Sequence, residues 1–207
     1  MKKVFRIFTI AALAFGMSMT VACSDDNEGG SGNGNGNGNG NGNGNENLPT
    51  TIDENFDNGI PTTWTNIDAD GDGYMWENTL IMQGGAESDP YPYAMSASYR
   101  NDVGALYPDN YLISPKIKIP ANATLTYEVG GIDASYYAEN YTVYLGTVQN
   151  GTFNATVTLL NETVPSVDPT PRTIDLSAYA GQSLCVAFRH HDITDMYYMT
   201  IDNVKVQ

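Results

Sequence analysis

The chain has 207 residues and a formal net charge of −15, with 24 acidic against 9 basic side chains. A surface so acidic repels polyanions, which excludes nucleic acid and anionic membrane faces as natural partners. Two cysteines exclude a disulfide framework, and the length past residue 47 suffices for one domain with its own apolar core.

Residues 1–22 open with Lys2, Lys3 and Arg6, continue as a short apolar stretch and end in Thr20-Val21-Ala22. A basic start, a short apolar run and small residues before a cut describe a secretory signal. The apolar run is broken by Thr9, Gly16 and Ser18, so a retained spanning helix is not expected. Cys23 follows directly and resembles the lipidated cysteine of a bacterial lipobox, with Thr20 in place of the usual Leu. Several acyl chains there would anchor the protein stably in a membrane. The cluster Ser24-Asp25-Asp26-Asn27-Glu28 resembles an export signal to the outer face of a bacterial outer membrane. Residues 29–47 are nearly pure Gly-Asn alternation with nothing apolar to bury. The predicted role is a disordered tether of roughly twenty residues, holding the domain about 25 Å from its anchor.

Residues 48–207 carry almost no helical periodicity. Runs rich in Tyr, Val, Ile and Thr alternate with Gly, Pro, Asn and Asp clusters, the pattern of a β-sandwich. Strands are predicted at 51–56, 63–67, 74–78, 94–99, 110–119, 124–130, 141–147, 156–163, 172–176, 183–190 and 198–206. Leu125, Tyr127 and Val129 alternate with Thr124, Thr126 and Glu128, as do Tyr141, Val143 and Leu145 with their neighbours; one buried side is implied. The expected fold class is all-β, a jelly-roll β-sandwich of about ten antiparallel strands.

The segment 68–73, DADGDG, places Asp68, Asp70 and Asp72 on alternate residues with glycines that permit a tight loop. That spacing equals the first half of an EF-hand loop and suits a hard cation such as Ca²⁺. The second half is absent: Thr79 stands where a bidentate Glu is required, and Glu77 comes two residues early. A calcium loop within a β protein is the expectation, with Tyr74 and Glu77 as further candidate ligands; a solvated acidic turn would have the same composition. First and last strands of such a sandwich are often neighbours, which would bring Asp53, Glu54 or Asp57 near Asp202 and Asn203. A second calcium ion there, or simple capping of strand ends, are the two readings.

Four stretches carry a family resemblance: FDNGIP with Trp64, DADGDG and Trp76; PDNYLISP at 108–115; ENYTVYL at 139–145; and VAFRHHDITDMYYMTIDNV at 186–204. In this order they resemble the cleaved-adhesin modules of gingipain-type haemagglutinin regions, related to choice-of-anchor J domains of Bacteroidetes. The resemblance implies a jelly roll, and adhesion to host proteins, haem proteins or glycans without chemistry. Residues 80–99 and 147–172 depart from the quoted motifs.

No G-x-S-x-G, HExxH, P-loop or Cys-His arrangement is present, so an enzyme is not expected. Cys185 reads as a small buried strand residue. Adjacent strand residues face opposite sides, so His190 and His191 are not expected to line one site. Trp64 and Trp76 read as core. Tyr91, Tyr93, Tyr136 and Tyr137, beside Gly, Pro and Ser, are the candidate ligand-binding aromatics, since flat rings near Asp and Asn suit sugar faces and protein hot spots. The expected function is a calcium-stabilised, non-catalytic adhesin at the outer-membrane surface, binding host protein or glycan. A carbohydrate-binding accessory lipoprotein and a structural surface component are the alternatives.

Overall fold

The computed structural model describes residues 47–78 and 92–207. Cys23, the tether and Tyr91 lie outside the described residues. Among these residues, strands account for nearly all of the regular structure, every pairing is antiparallel, and two sheets pack face to face. Sheet I contains β1 (Ile52–Glu54), β3 (Glu77–Asn78), β4 (Ala94–Ala97), β9 (Thr124–Gly131), β12 (Thr170–Asp175) and β14 (Tyr198–Val206). Its order is β12-β9-β14-β4-β3, with β1 also on β14. Sheet II contains β2 (Thr65–Asp68), β7 (Asn110–Ile113), β8 (Ile117–Lys118), β10 (Asn140–Gln149), β11 (Thr152–Thr163) and β13 (Ser183–His190). Its order is β11-β10-β13-β7-β2, with β8 also on β13. A side hairpin, β5 (Tyr99–Arg100) with β6 (Gly104–Ala105), leaves the end of β4.

The alternation read from the sequence sets the core. Leu125, Tyr127 and Val129 of sheet I meet Tyr141, Val143, Leu145, Val186 and Phe188 of sheet II, all nearly or fully buried. Trp64 and Trp76 join that core, and the Trp76 indole N–H donates to the Asn110 carbonyl at 3.1 Å. The buried Tyr127 and Tyr141 hydroxyls lie 3.0 Å apart, and Tyr141 continues to Glu162, which also takes Arg172 at 2.6 Å. A polar thread thus crosses the apolar layer with its groups paired, as burial demands.

The strands outnumber the expected ten because two predicted runs break and β6 lies outside every predicted run. Pro115 offers no N–H and splits 110–119 into β7 and β8, while Ser98 splits 94–99 into β4 and β5. The predicted strand 74–78 shrinks to Glu77–Asn78, its first residues being part of the acidic loop.

β14 changes parity along its length. Met199 and Ile201 face the core, then Val204 and Val206 do. The switch falls at a register shift between Asp202 and Lys205, where Asn203 adopts φ +51°. The expected neighbouring of first and last strands is realised here: Ile52, Asp53 and Glu54 pair with Val206, Lys205 and Val204.

Candidate functional site

The acidic loop runs between β2 and β3. Asp68 accepts the Gly71 and Gly73 amides at 2.7 and 2.8 Å, Asp70 accepts that of Asp72 at 3.0 Å, and Asp72 accepts that of Tyr74 at 2.7 Å. Gly71 and Gly73 have φ +77° and +88°, so the loop needs glycine at both. Asp70 also accepts the Asp109 amide, and the Asp109 carbonyl accepts the Ala69 amide, which docks the loop on the segment before β7. One oxygen from each of Asp68, Asp70 and Asp72 lies within 4.8 Å of the others. A Ca²⁺ ion holds oxygens at about 2.4 Å, so oxygens sharing one ion lie up to about 4.8 Å apart, the range within which these three fall. Burial pushes the Asp70 carboxyl up against the amides of Asp72 and Asp109. Burial opposes ionisation of Asp68 as well, but the Gly73 and Gly71 amides outweigh it and hold that group low. The donor set fits a hard cation. Glu77 lies outside this cluster, in an ion pair with Arg100 at 2.6 Å, and Arg100 in turn sits over the Tyr74 ring at 4.9 Å.

A second acidic group forms where the chain ends meet. Burial pushes the Asp202 carboxyl up to about 6, and the charges of Glu128, Asp57 and Glu54 add to that rise against the Asn203 amide. Asn203 donates to Glu128 at 2.9 Å and Asp202 at 3.3 Å, and Glu54 accepts the Phe56 amide at 2.8 Å. Asp53 does not join them. In register with Lys205, it pairs with that ammonium at 3.1 Å, because strand alternation turns it away from Glu54. Glu128 takes its place, contributed by β9 across β14.

A third region is concave. A cleft of about 460 Å³ is lined by Tyr99, Asn101, Asp133, Tyr136, Asp195, Met196 and Tyr197. Its walls come from the start of β5, the loop after β9 and the loop before β14, which leave the same end of sheet I. Tyr136 is 53% exposed, a large ring offered to solvent. Tyr197 stands edge-to-face on Tyr198 at 4.7 Å and accepts a hydrogen bond on its hydroxyl from Asn101 at 3.2 Å.

Behind the cleft lies a buried polar network. Glu139, fully buried, accepts the Ser98 hydroxyl at 2.7 Å, the Tyr197 amide at 2.9 Å and faces His190 Nε2 at 3.0 Å. His190 Nδ1 lies 2.9 Å from the Ser96 hydroxyl. Since Ser96 belongs to sheet I and His190 to sheet II, the network ties the sheets together where the cleft opens. His191 turns the other way, to Thr142 at 2.8 Å and Asp192 at 2.8 Å, as strand geometry requires.

Of the aromatics selected from the sequence, Tyr136 lines this cleft. Tyr93 lies elsewhere, beside Glu128, Asp202 and Asn203 in a different hollow. Tyr137 is a packing residue: a Cβ on Gly131 would sit 2.4 Å from its Cβ, so Tyr137 fills the space that glycine leaves. Tyr99, Asn101, Asp133 and Met196 escaped sequence reasoning because they are far apart in the chain and only the loop ends unite them.

The sequence profile of the Cleaved Adhesin Domain matches residues 49–206, the whole of this sandwich. The chain belongs to the cleaved adhesin domain family. The domain is 37% identical over 174 residues to Hemagglutinin A of Porphyromonas gingivalis, covering 76% of this chain and 8% of that protein. To Gingipain R1 of the same species it is 38% identical over 171 residues, covering 76% and 10%. The chain therefore spans about a tenth of the length of these relatives. Among solved structures, the K1 cleaved adhesin domain of Lys-gingipain from Porphyromonas gingivalis matches with a TM-score of 0.66 and 35% identity, over 76% of this chain and 98% of that one. The K3 domain of the same protein matches with a TM-score of 0.64 and 32% identity, over 75% and 96%. This cleaved adhesin domain is thus one module of a kind that recurs within much larger proteins.

Proposed function

We propose that this cleaved adhesin domain is a non-catalytic cell-surface adhesin that holds a host protein or glycan at the Tyr99–Tyr136–Tyr197 cleft. The observation that carries the reading is the cleft itself: three tyrosines with Asp133, Asp195 and Asn101, concave and open to solvent. Aromatic planes with a few polar groups are what a recognition pocket needs. Membership of the family and relatives named haemagglutinins support adhesion.

In this reading Cys23 carries lipid and holds the protein at the outer membrane. Ca²⁺ would be held by Asp68, Asp70 and Asp72, with a second ion taken by Asp202, Asp57, Glu54, Glu128 and Asn203. The ions would neutralise crowded carboxylates and brace the loops, with no part in a reaction.

The test is a binding screen of the chain in calcium buffer against arrayed glycans and matrix, serum and haem proteins. Hits lost in Tyr136→Ala and Asp133→Ala, and kept in Tyr107→Ala outside the cleft, support the reading. Hits that survive both cleft substitutions overturn it.

A further inference from the structure

The cleft has an unusual balance of polar groups. Among its lining residues are two carboxylates, three phenols and one amide, and none is Lys, Arg or His. Three arginines outside the cleft are paired with carboxylates. Arg100 pairs with Glu77, Arg172 with Glu162, and Arg189 with Asp109 through two bonds of 2.7 and 2.9 Å. Asp195 lies exposed at the cleft, and among the described residues its carboxylate, like that of Asp168 outside the cleft, has no hydrogen-bond or ion-pair partner.

Asp195 is nevertheless held firmly. Its backbone sits at φ +58°, in the left-handed region, and its amide donates to the Ser98 carbonyl at 3.1 Å. The next amide, of Met196, donates to the Ser98 hydroxyl at 3.1 Å, and that of Tyr197 to Glu139 at 2.9 Å. Three successive amides are thus tied to the buried Ser98–Glu139–His190 network. Asp accepts the left-handed region at little cost, and these bonds fix the segment that places its carboxylate in the lining of the aromatic cleft.

We infer that the cleft selects a cationic side chain, of lysine or arginine type, presented by a partner protein. This rests on the proposal that the cleft is the binding site. Asp195 supplies the counter-charge, Asp133 a second, and the Tyr99, Tyr136 and Tyr197 rings supply faces that attract a cation. A neutral sugar can donate its hydroxyls to the carboxylates but brings no counter-charge to either of them. The amide of Asn101 gives one of its two N–H groups to Tyr197, so its second N–H and the phenol hydroxyls are the side-chain donors of the cleft. Anionic ligands are repelled by both carboxylates and by the net charge of the chain.

The experiment uses the ¹⁵N-labelled full chain carrying Cys23→Ser, titrated with the N-acetyl amides of lysine, arginine and citrulline. Citrulline has the shape of arginine without its charge. Lysine and arginine amides are expected to shift the backbone signals of residues 99–101, 133–136 and 195–197, and citrulline amide to leave them in place. Asp195→Asn, which tolerates the left-handed conformation, is expected to weaken the arginine amide about tenfold, or 1.4 kcal/mol. Equal shifts with citrulline, or none with any amide, overturn the inference. If cellotriose or lactose moves the same signals while the amides do not, the cleft is a glycan site; the proposed function then stands and the cation assignment falls. If the cleft substitutions leave all array binding intact, the proposed function itself falls.

Discussion

Glu139 and His190 face each other at 3.0 Å with both side chains wholly out of water. Removing the carboxylate strands His190 Nε2, the Tyr197 amide and the Ser98 hydroxyl together, and each orphaned buried polar group costs about 1–3 kcal/mol. Glu139→Ala is expected to lower stability by about 3 kcal/mol or more in urea unfolding, the low end of the sum over those orphaned groups. Glu139→Gln keeps an acceptor and should cost less than half as much. Equal losses for the two would show that shape, not hydrogen bonding, is what the position supplies.

Calcium is expected to raise the thermal midpoint, and a chelator to reverse the gain. At one hundred times its dissociation constant a bound ion adds about 2.7 kcal/mol. Asp70→Ala and Asp72→Ala should each remove most of that increment at the acidic loop. A melting curve indifferent to both metal and chelator would remove calcium from the account of this domain.

The chain-end cluster makes the opposite prediction in the absence of metal. Asp202, desolvated by burial and then crowded by Glu128, Asp57 and Glu54, is an unfavourable charge until something neutralises it. Asp202→Asn is expected to raise the midpoint of the chelator-treated chain and to shrink the rise that calcium produces. Calorimetry with and without metal checks both signs, and a loss of stability in chelator would contradict the crowding.

Two neighbouring tyrosines should behave differently. Tyr136→Ala, at a ring 53% exposed, is expected to change stability by less than about 0.5 kcal/mol while abolishing ligand capture. Tyr137→Ala should cost about 2–4 kcal/mol, since it leaves a void over Gly131. Gly131→Ala tests the same contact from the other side. Its new methyl would meet Tyr137 at 2.4 Å, and overpacking of about 1–3 kcal/mol is expected by urea titration.

Much of the fold was legible in the residues. Period-two alternation in 124–129 and 141–145 identified the buried faces, because a strand must turn successive side chains to opposite sides. The same rule parted His190 from His191. DADGDG marked the acidic loop because its glycines and carboxylates are themselves local. The cleft was not legible in that way. Tyr136 was chosen for its Gly, Pro and Ser surroundings, but so was Tyr137, which packs inward; a turn composition does not say which of two adjacent rings finds space. Asp53 was grouped with Asp202 although its register with Lys205 turns it elsewhere.

What the amino-acid order alone determined about this cleaved adhesin domain is whatever depends on near neighbours: strand periodicity and the Asp-Gly loop. Tertiary structure decided what depends on distant partners. It brought Glu128 of β9 to Asp202 of β14, buried Glu139 against His190 of the adjacent strand β13, and gathered Tyr99, Asp133, Tyr136 and Asp195 from segments up to 96 residues apart, the span of the Asn101–Tyr197 bond. Electrostatic crowding and concave shape are properties of positions in space, and local spacing carries no record of which loops will meet.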